Sequence, residues 1–215
     1  MPIFLITIRL LVTAMIGVFV YCIIRFKTSA INKKRPIEDF IDKEREANSA
    51  RRRDIDPALF FKADMSVLPA PNNSPAADKA ARLAAATMIH FPQPVSNHVL
   101  KLSYGPGQLE SIAQYEENYH HFIRALLDWA EELLKQGQRE DALTVLEYTV
   151  EHRSEYRKSY ILTADLYAEA KNTDKLNTLK NNVESMYFND PHVQKTIIHY
   201  IEESVRGISA RVAPG

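Results

Sequence analysis

Hydrophobic residues recur at helical spacing through the second half of the chain. From Leu126 to His152, apolar side chains follow one another three or four positions apart on both sides of Gly137. This spacing places them on one face of a helix, and a glycine between two such stretches is typical of a helix end. The pattern therefore predicts two amphipathic helices joined by a tight turn.

The same pattern has a period of about 34 residues, which is the length of a known helical repeat. Small residues stand at Ala130, Gly137 and Ala142, and bulky apolar residues stand around them at Leu126, Trp129, Leu133 and Leu146. A unit of this length with this arrangement resembles the tetratricopeptide repeat, in which each repeat is a hairpin of two antiparallel helices.

A second copy of this unit follows with weaker agreement. Ala164 and Tyr167 fit the pattern, whereas Lys171 and Asn172 replace the turn glycine and Leu176 replaces the early alanine of the second helix. The resemblance implies a short stack of helix hairpins. An unrelated hairpin stack with a similar period is the alternative.

Residues 107–207 are predicted to form this all-α domain. No proline lies between Gly107 and Asp190, which favours uninterrupted helices. The predicted helices are Gln108–Lys135 (one helix, or two with a bend near Tyr119), Arg139–Arg153, Glu155–Lys171, Thr173–Phe188 and a last one from Pro191 to Arg206. Residues 208–215 are predicted to be a flexible tail.

The beginning of the chain carries its longest apolar run. Ile3–Ile24 contains Arg9 as its one charged residue, and a helix of this length spans about 33 Å, which is enough for the hydrocarbon core of a bilayer. A single transmembrane helix is predicted, with the long Arg9 side chain reaching the interface. A cleaved signal peptide is the alternative, but Arg25 and Lys27 follow directly where small residues are expected.

The basic residues just after this run predict its orientation. They are Arg25, Lys27, Lys33, Lys34 and Arg35. The positive-inside rule places this side, and the C-terminal domain, in the cytoplasm. Residues 1–27 are thus interpreted as a signal anchor in a plasma membrane of the bacterial inner-membrane type, with a mitochondrial outer membrane and a cytosolic domain as the alternative. The same side chains either contact anionic lipids or act only as a stop signal.

Residues 28–106 are predicted to be a juxtamembrane helix followed by a proline-rich linker. Acidic residues after Pro36 and three arginines ending at Arg53 match the dipole of a helix. Eight of the eleven prolines lie between residues 36 and 106, which is typical of turns and extended chain.

Two local elements are predicted inside this linker. Ser74 suits the N-cap of a helix over Pro75–His90, where alanines give high helix propensity. Residues 91–107 are expected to be extended, with Val99–Leu102 forming a brief strand or wrapping around the domain. The sequence leaves open whether residues 54–106 pack on the helical domain.

Charge and cysteine content exclude several classes of function. The formal net charge is zero, but the first 35 residues hold six basic side chains and no acidic one, so the rest carries 21 basic against 27 acidic side chains. A mildly acidic domain argues against nucleic-acid binding, which needs a basic face. The single Cys22 rules out a disulfide or a cysteine metal site within one chain.

No sequence motif indicates catalysis. Glu117 and His120 have the Glu-x-x-His spacing of di-iron helix bundles, but such sites need a second pair, which the chain lacks. A nucleophile elbow and a glycine-rich phosphate loop are also missing from the sequence. We therefore expect no catalytic residue, no cofactor and no metal, and keep a metal-dependent helical enzyme only as a third hypothesis.

The resemblance implies a binding surface on the inner face of the stack, which the first helices of each hairpin form. The corresponding positions are Arg124, Leu127, Glu131, Leu134, Lys158, Ile161 and Asp165. Their mixture of apolar and charged residues suits a peptide or helix. Leu127 and Glu131 stand where a Lys/Asn clamp for a C-terminal carboxylate would need basic and amide residues. The alternative is an ordinary solvated helix face.

These features predict a membrane-anchored, non-enzymatic adaptor or scaffold with an unidentified protein or peptide partner and no nucleic acid. The alternative is a structural accessory subunit of a membrane complex, which contacts that complex mainly through its transmembrane helix.

Overall fold

The structure is a computed structural model of the chain. It describes residues 15, 17–23, 25, 37–71, 74–186, 188 and 190–212. The protein is mostly helical, as the sequence predicts. The described residues divide into two compact units, one comprising residues 1–53 and 97–107 and the other residues 54–96 and 108–215.

The predicted transmembrane helix Ile3–Ile24 falls largely outside the described residues. Those of its positions that are described, Met15 and residues 17–23, are helical and exposed. In the described part of the chain, no helix combines the length and apolar character needed to cross a bilayer. Of the five basic residues after the run, Arg25 is described, while Lys27, Lys33, Lys34 and Arg35 lie outside the described residues.

Besides the helical residues 17–23, the described part of the first unit contains two helices. The described part of helix α1 covers residues 37–49, where the sequence predicts a helix, and α3 covers Asn97–Tyr104. Lys101 Nζ donates a hydrogen bond to Glu44 Oε2 at 2.8 Å, while Ala47 and Leu100 are buried. The expectation of an extended Val99–Leu102 is wrong. Burial of Leu100 and the ion pair of Lys101 favour a helix over the extended chain that the nearby prolines suggested.

A glycine ends α3 in a confined position. Gly105 has φ +83°, and a Cβ added there would lie 2.8 Å from Cα of Arg52. The backbone N–H of Arg53 donates to the carbonyl of Tyr104 at 3.0 Å. Only glycine allows both this backbone conformation and this close approach.

In the second unit, residues 54–96 are part of the packed structure and not a free linker. Helix α2 (Pro75–Ala84) buries Ala76, Ala77 and Ala80 in one core with Trp129 of α4. Two short strands, β1 (Phe60–Phe61) and β2 (Met88–Ile89), pair antiparallel, with Phe60 opposite Ile89. Both α2 and β2 pack against α4.

The local signals in this segment are partly as predicted. Ser74 is the N-cap of α2, since its Oγ accepts a hydrogen bond from the N–H of Ala77. The helix ends at Ala84, before the predicted His90, because the chain turns there and enters β2.

Five helices follow, and their boundaries recur with the period that the sequence predicts. They are α4 (Leu109–Lys135), α5 (Arg139–Glu151), α6 (Arg157–Glu169), α7 (Thr173–Ser185) and α8 (Pro191–Val212). One repeat length separates the starts of α5 and α7, the starts of α6 and α8, and the ends of α4 and α6. α4 runs without a break, so the alternative of two helices bent near Tyr119 is wrong.

The turns inside the two hairpins have the same geometry. Gly137 has φ +77°, and Lys171, at the equivalent position of the second hairpin, has φ +54°. The N–H of Gln138 donates to the carbonyl of Leu133 at 2.9 Å, and the N–H of Asn172 donates to the carbonyl of Tyr167 at the same distance. The second hairpin therefore keeps the backbone of the first although its sequence lacks the glycine.

Helix α8 extends beyond its predicted end at Arg206. It continues through Gly207 to Val212, so residues 208–212 are helical where a flexible tail was expected, and residues 213–215 lie outside the described residues. Ile197 and Ile201 are fully buried, and Val205 and Ile208 pack against the same core. This continued apolar contact explains why one glycine does not end the helix.

Candidate functional site

A cavity lies in the second unit, at the N-terminal half of α4. Its volume is about 540 Å³, within the range of small-ligand and side-chain pockets. Four separate segments line it: residues 90–94 after β2, residues 113–120 of α4, the turn 153–155 between α5 and α6, and residues 186, 188, 190 and 193 around the start of α8.

The length of α4 creates this site. Its residues 123–135 correspond to the 13 residues of α6, and its residues 109–122 extend beyond the hairpin. Ile112 and Tyr119 on this extension are buried. The neighbouring positions Glu116, Glu117 and His120 line the cavity.

Part of the wall is apolar. The side chains that contribute are Phe91, Pro92, Pro94, Ala113, Met186, Phe188 and Val193. The Phe188 ring packs against the ring of the buried Tyr160, with centroids 5.9 Å apart. This lining favours a ligand with an apolar part.

Four carboxyl groups stand in the same cavity, and three of them already have partners. Glu117 lies 3.3 Å from His121, Glu155 lies 3.7 Å from His120, and Asp190 Oδ1 accepts a hydrogen bond from the N–H of His192 at 2.8 Å. These contacts leave Glu116 as the carboxyl group of interest.

Glu116 is half-buried, and its carboxyl group forms no hydrogen bond or ion pair with any residue that the structure describes. Burial raises the pKa of its carboxyl group, and the nearby Glu155 adds to this effect while His120 opposes it. A cation placed beside Glu116 would restore the interactions that the carboxylate loses with water.

The other side of the cavity carries Arg153 and His90. Arg153 has φ +55°, which turns the chain between α5 and α6, and its guanidinium has no ion pair among the described residues. The His90 ring stacks on Tyr119 with centroids 4.4 Å apart, and its Nε2 is buried without a hydrogen-bond partner in the described structure. Burial lowers the pKa of His90 to about 4, and the charge of Arg153 contributes. His90 is therefore neutral at pH 7.

This arrangement is suited to recognition. At neutral pH, carboxylates outnumber the single guanidinium around an apolar wall, so the cavity favours a group that is apolar and positively charged. Glu117 and His120 do line the cavity together, but within the described residues no three His, Cys, Asp or Glu side chains are grouped to hold a metal ion.

The predicted inner face lies elsewhere on the second unit. Arg124, Leu127, Glu131 and Lys158 line one groove of about 340 Å³ together with Asp128, Tyr156 and Arg157. Arg124 Nε lies 3.2 Å from Asp128, and Lys158 Nζ lies 2.6 Å from Glu131. Both acidic residues of this groove are therefore already paired with basic ones, and Arg157 leaves it with one basic residue in excess.

The apolar residues predicted for this face are less available than expected. Leu127 is only 2% exposed and belongs to the core, which leaves little of it to contact a partner. Leu134 is half-buried against the same core, and Ile161 is also half-buried. Asp165 accepts a hydrogen bond from the Tyr200 hydroxyl at 2.5 Å. These last three residues do not line the groove.

The sequence singled out two of the cavity residues, Glu117 and His120, but as a candidate metal-binding pair and not as part of a binding cavity. The signal that could have indicated Glu116 is its spacing, three residues after Ala113 and four residues before His120. This spacing adds a third acidic or histidine position to the helix face of Glu117 and His120. The residues after β2 and around Phe188 carry no pattern that would place them beside α4.

Comparisons with known proteins add no assignment, since no protein-family model, no curated protein and no solved structure matches this chain.

Proposed function

We propose that the chain is a membrane-anchored, non-enzymatic adaptor whose second unit binds a protein partner. Ile3–Ile24 supplies the anchor, and the basic residues after it orient the rest of the chain towards the cytoplasm. The regular recurrence of helix boundaries supports a tetratricopeptide-like stack, a class of structure that presents surfaces for recognition.

The observation that carries the proposal is the unpaired, half-buried Glu116 in an open, partly apolar cavity of the described structure. Its carboxylate is the natural contact for a lysine or arginine side chain of the partner. Phe91 and Met186 offer surface for an adjacent apolar side chain. The partner segment we propose therefore carries a basic residue next to a large apolar one.

The test measures the binding of two fluorescent peptides to the full chain in detergent micelles. One peptide contains Phe-Lys and the other Phe-Glu in an otherwise identical neutral sequence. We expect the Phe-Lys peptide to bind more tightly, and Glu116→Gln to weaken its binding by roughly tenfold, which corresponds to about 1.4 kcal/mol.

The matched control is Glu131→Gln, which removes a carboxylate from the predicted inner-face groove. It should leave peptide affinity unchanged if the cavity is the binding site. A loss with Glu131→Gln but not with Glu116→Gln would move the site to the groove. Equal affinity for the two peptides would contradict the charge argument.

The exposed helix at residues 17–23 supports a second candidate, an accessory subunit of a membrane complex. Phe19 and Tyr21 are 68% and 60% exposed and offer an apolar surface to another helix in the membrane. Deletion of residues 1–30 separates the two functions. A shortened chain that still captures the partner supports the adaptor, and one that loses it supports the subunit.

A further inference from the structure

Helix α1 carries an apolar surface that is only half covered. Ile37, Phe40 and Ile41 are 60%, 63% and 41% exposed. Their spacing of three and four residues places them on one face of the helix. The same face continues to Glu44 and Ala47, where α1 meets α3. The contact with α3 therefore covers the C-terminal part of this face and leaves the apolar residues at its N-terminal end exposed.

We propose that Ile37, Phe40 and Ile41 insert into the interfacial layer of the lipid bilayer, so that α1 lies along the membrane surface. This inference rests on the proposed function, because it requires the anchor Ile3–Ile24. It adds a second membrane contact outside the spanning segment.

Chain length places α1 within reach of the lipid. Twelve residues, 25–36, separate the predicted anchor from the first described residue of α1, and a chain of this length spans at most about 40 Å. A short tether of this kind gives a high effective concentration of α1 at the membrane surface. Three apolar side chains are then enough, whereas a free helix would need a longer apolar face.

The charges of α1 point to insertion of apolar side chains and not to attraction by anionic lipid. Four exposed acidic side chains of α1, Glu38, Asp39, Asp42 and Glu46, outnumber its two exposed basic ones, Lys43 and Arg45. Acidic residues gain nothing from negatively charged headgroups. The contact should therefore form equally well on zwitterionic lipid.

The experiment places a tryptophan on either face of α1 in the full chain. Phe40→Trp puts the indole in the apolar surface, and Asp39→Trp puts it at the same height on the opposite face. The native Trp129 is fully buried, so it contributes the same background to both variants. Each variant is reconstituted into phosphatidylcholine vesicles with or without brominated acyl chains, which quench only tryptophans that enter the bilayer.

We expect brominated lipid to reduce the added Phe40→Trp fluorescence at least twofold, with emission at shorter wavelength, and to leave that of Asp39→Trp nearly unchanged. The result should be the same in vesicles where part of the phosphatidylcholine is replaced by phosphatidylglycerol. Equal quenching of the two variants, or none in either, would overturn the inference.

Vesicle flotation distinguishes this failure from failure of the proposed function. A chain that does not float with the vesicles lacks the anchor, which refutes both proposals. A chain that floats while Phe40→Trp remains unquenched refutes only the surface contact. A wavelength shift that depends on protein concentration without quenching would show that a second copy covers α1, and would also refute it.

Discussion

Replacing Lys171 by glycine should stabilise the protein. Lys171 holds φ +54°, a left-handed conformation that costs a non-glycine residue about 1–2 kcal/mol. Glycine removes this cost but loses roughly 0.5–1 kcal/mol through the greater entropy of the unfolded chain. The Lys171 side chain forms no hydrogen bond or ion pair in the described structure, so its removal sacrifices no such contact.

The net gain in the free energy of unfolding should be about 0.5–1 kcal/mol. For a unit of this size, each kcal/mol raises Tm by roughly 2–4 °C. The first hairpin supplies the reverse experiment. Gly137 has φ +77°, and a Cβ there would meet no atom within 4 Å. Gly137→Ala should therefore lower stability by about 1 kcal/mol through backbone conformation alone.

Urea unfolding of the full chain in detergent micelles measures both changes. The single tryptophan, Trp129, is fully buried and reports the transition. The control Lys171→Ala removes the side chain but keeps the Cβ, so it should gain nothing. The reasoning is refuted if Lys171→Gly lowers the midpoint, or if Lys171→Ala raises it by the same amount.

Two further predictions concern the cover of α4 and the cavity. Ser74→Ala should cost about 1–2 kcal/mol in urea unfolding, because Ser74 Oγ accepts from the N–H of Ala77 and donates to Glu132 Oε2 at 2.5 Å. Ser74→Thr, which keeps a hydroxyl that can both accept and donate, should recover part of the loss. The pKa of His90 falls from 6.5 to about 4 on folding, so the unfolded chain binds a proton at His90 at a higher pH than the folded chain does. The contribution of neutral His90 to the free energy of unfolding is therefore complete above about pH 6.5 and is lost as the pH falls towards 4. The unfolding free energy of the native chain should therefore decline more steeply between pH 7 and 4.5 than that of His90→Gln, and parallel curves would contradict the assigned pKa.

The helices of the second half were predictable because their signals are local. Apolar residues recur at helical spacing without proline, and most of the predicted ends lie within a few residues of the observed ones. The end of α8 was missed because Gly207 is a stop signal only where no packing continues. Ile208 contacts the core beyond it, and tertiary contact outweighs the local cost of one glycine.

The packing of residues 54–96 could not be predicted in the same way. α2 meets α4 through Ala76, Ala77 and Ala80, whose small side chains give a weak hydrophobic pattern. The strands β1 and β2 have two residues each, too few for an alternating pattern to appear. What fixes them is contact with α4, which a local signal does not contain.

The cavity was hidden for a related reason. Its four segments lie far apart along the chain, and no motif joins them. The extension of α4 is visible in the sequence only as a long helix, without an indication of what packs beside it. Glu116 becomes notable only when its burial and its lack of a partner in the described structure are known.

The position of α2 also limits how this fold can evolve. In a repeat array, each hairpin offers a face to the next, and new repeats are added by duplication at such a face. α2 covers one side of α4 and shares a core with it. A hairpin added on that side of α4 would therefore have to displace α2 and its alanine contacts.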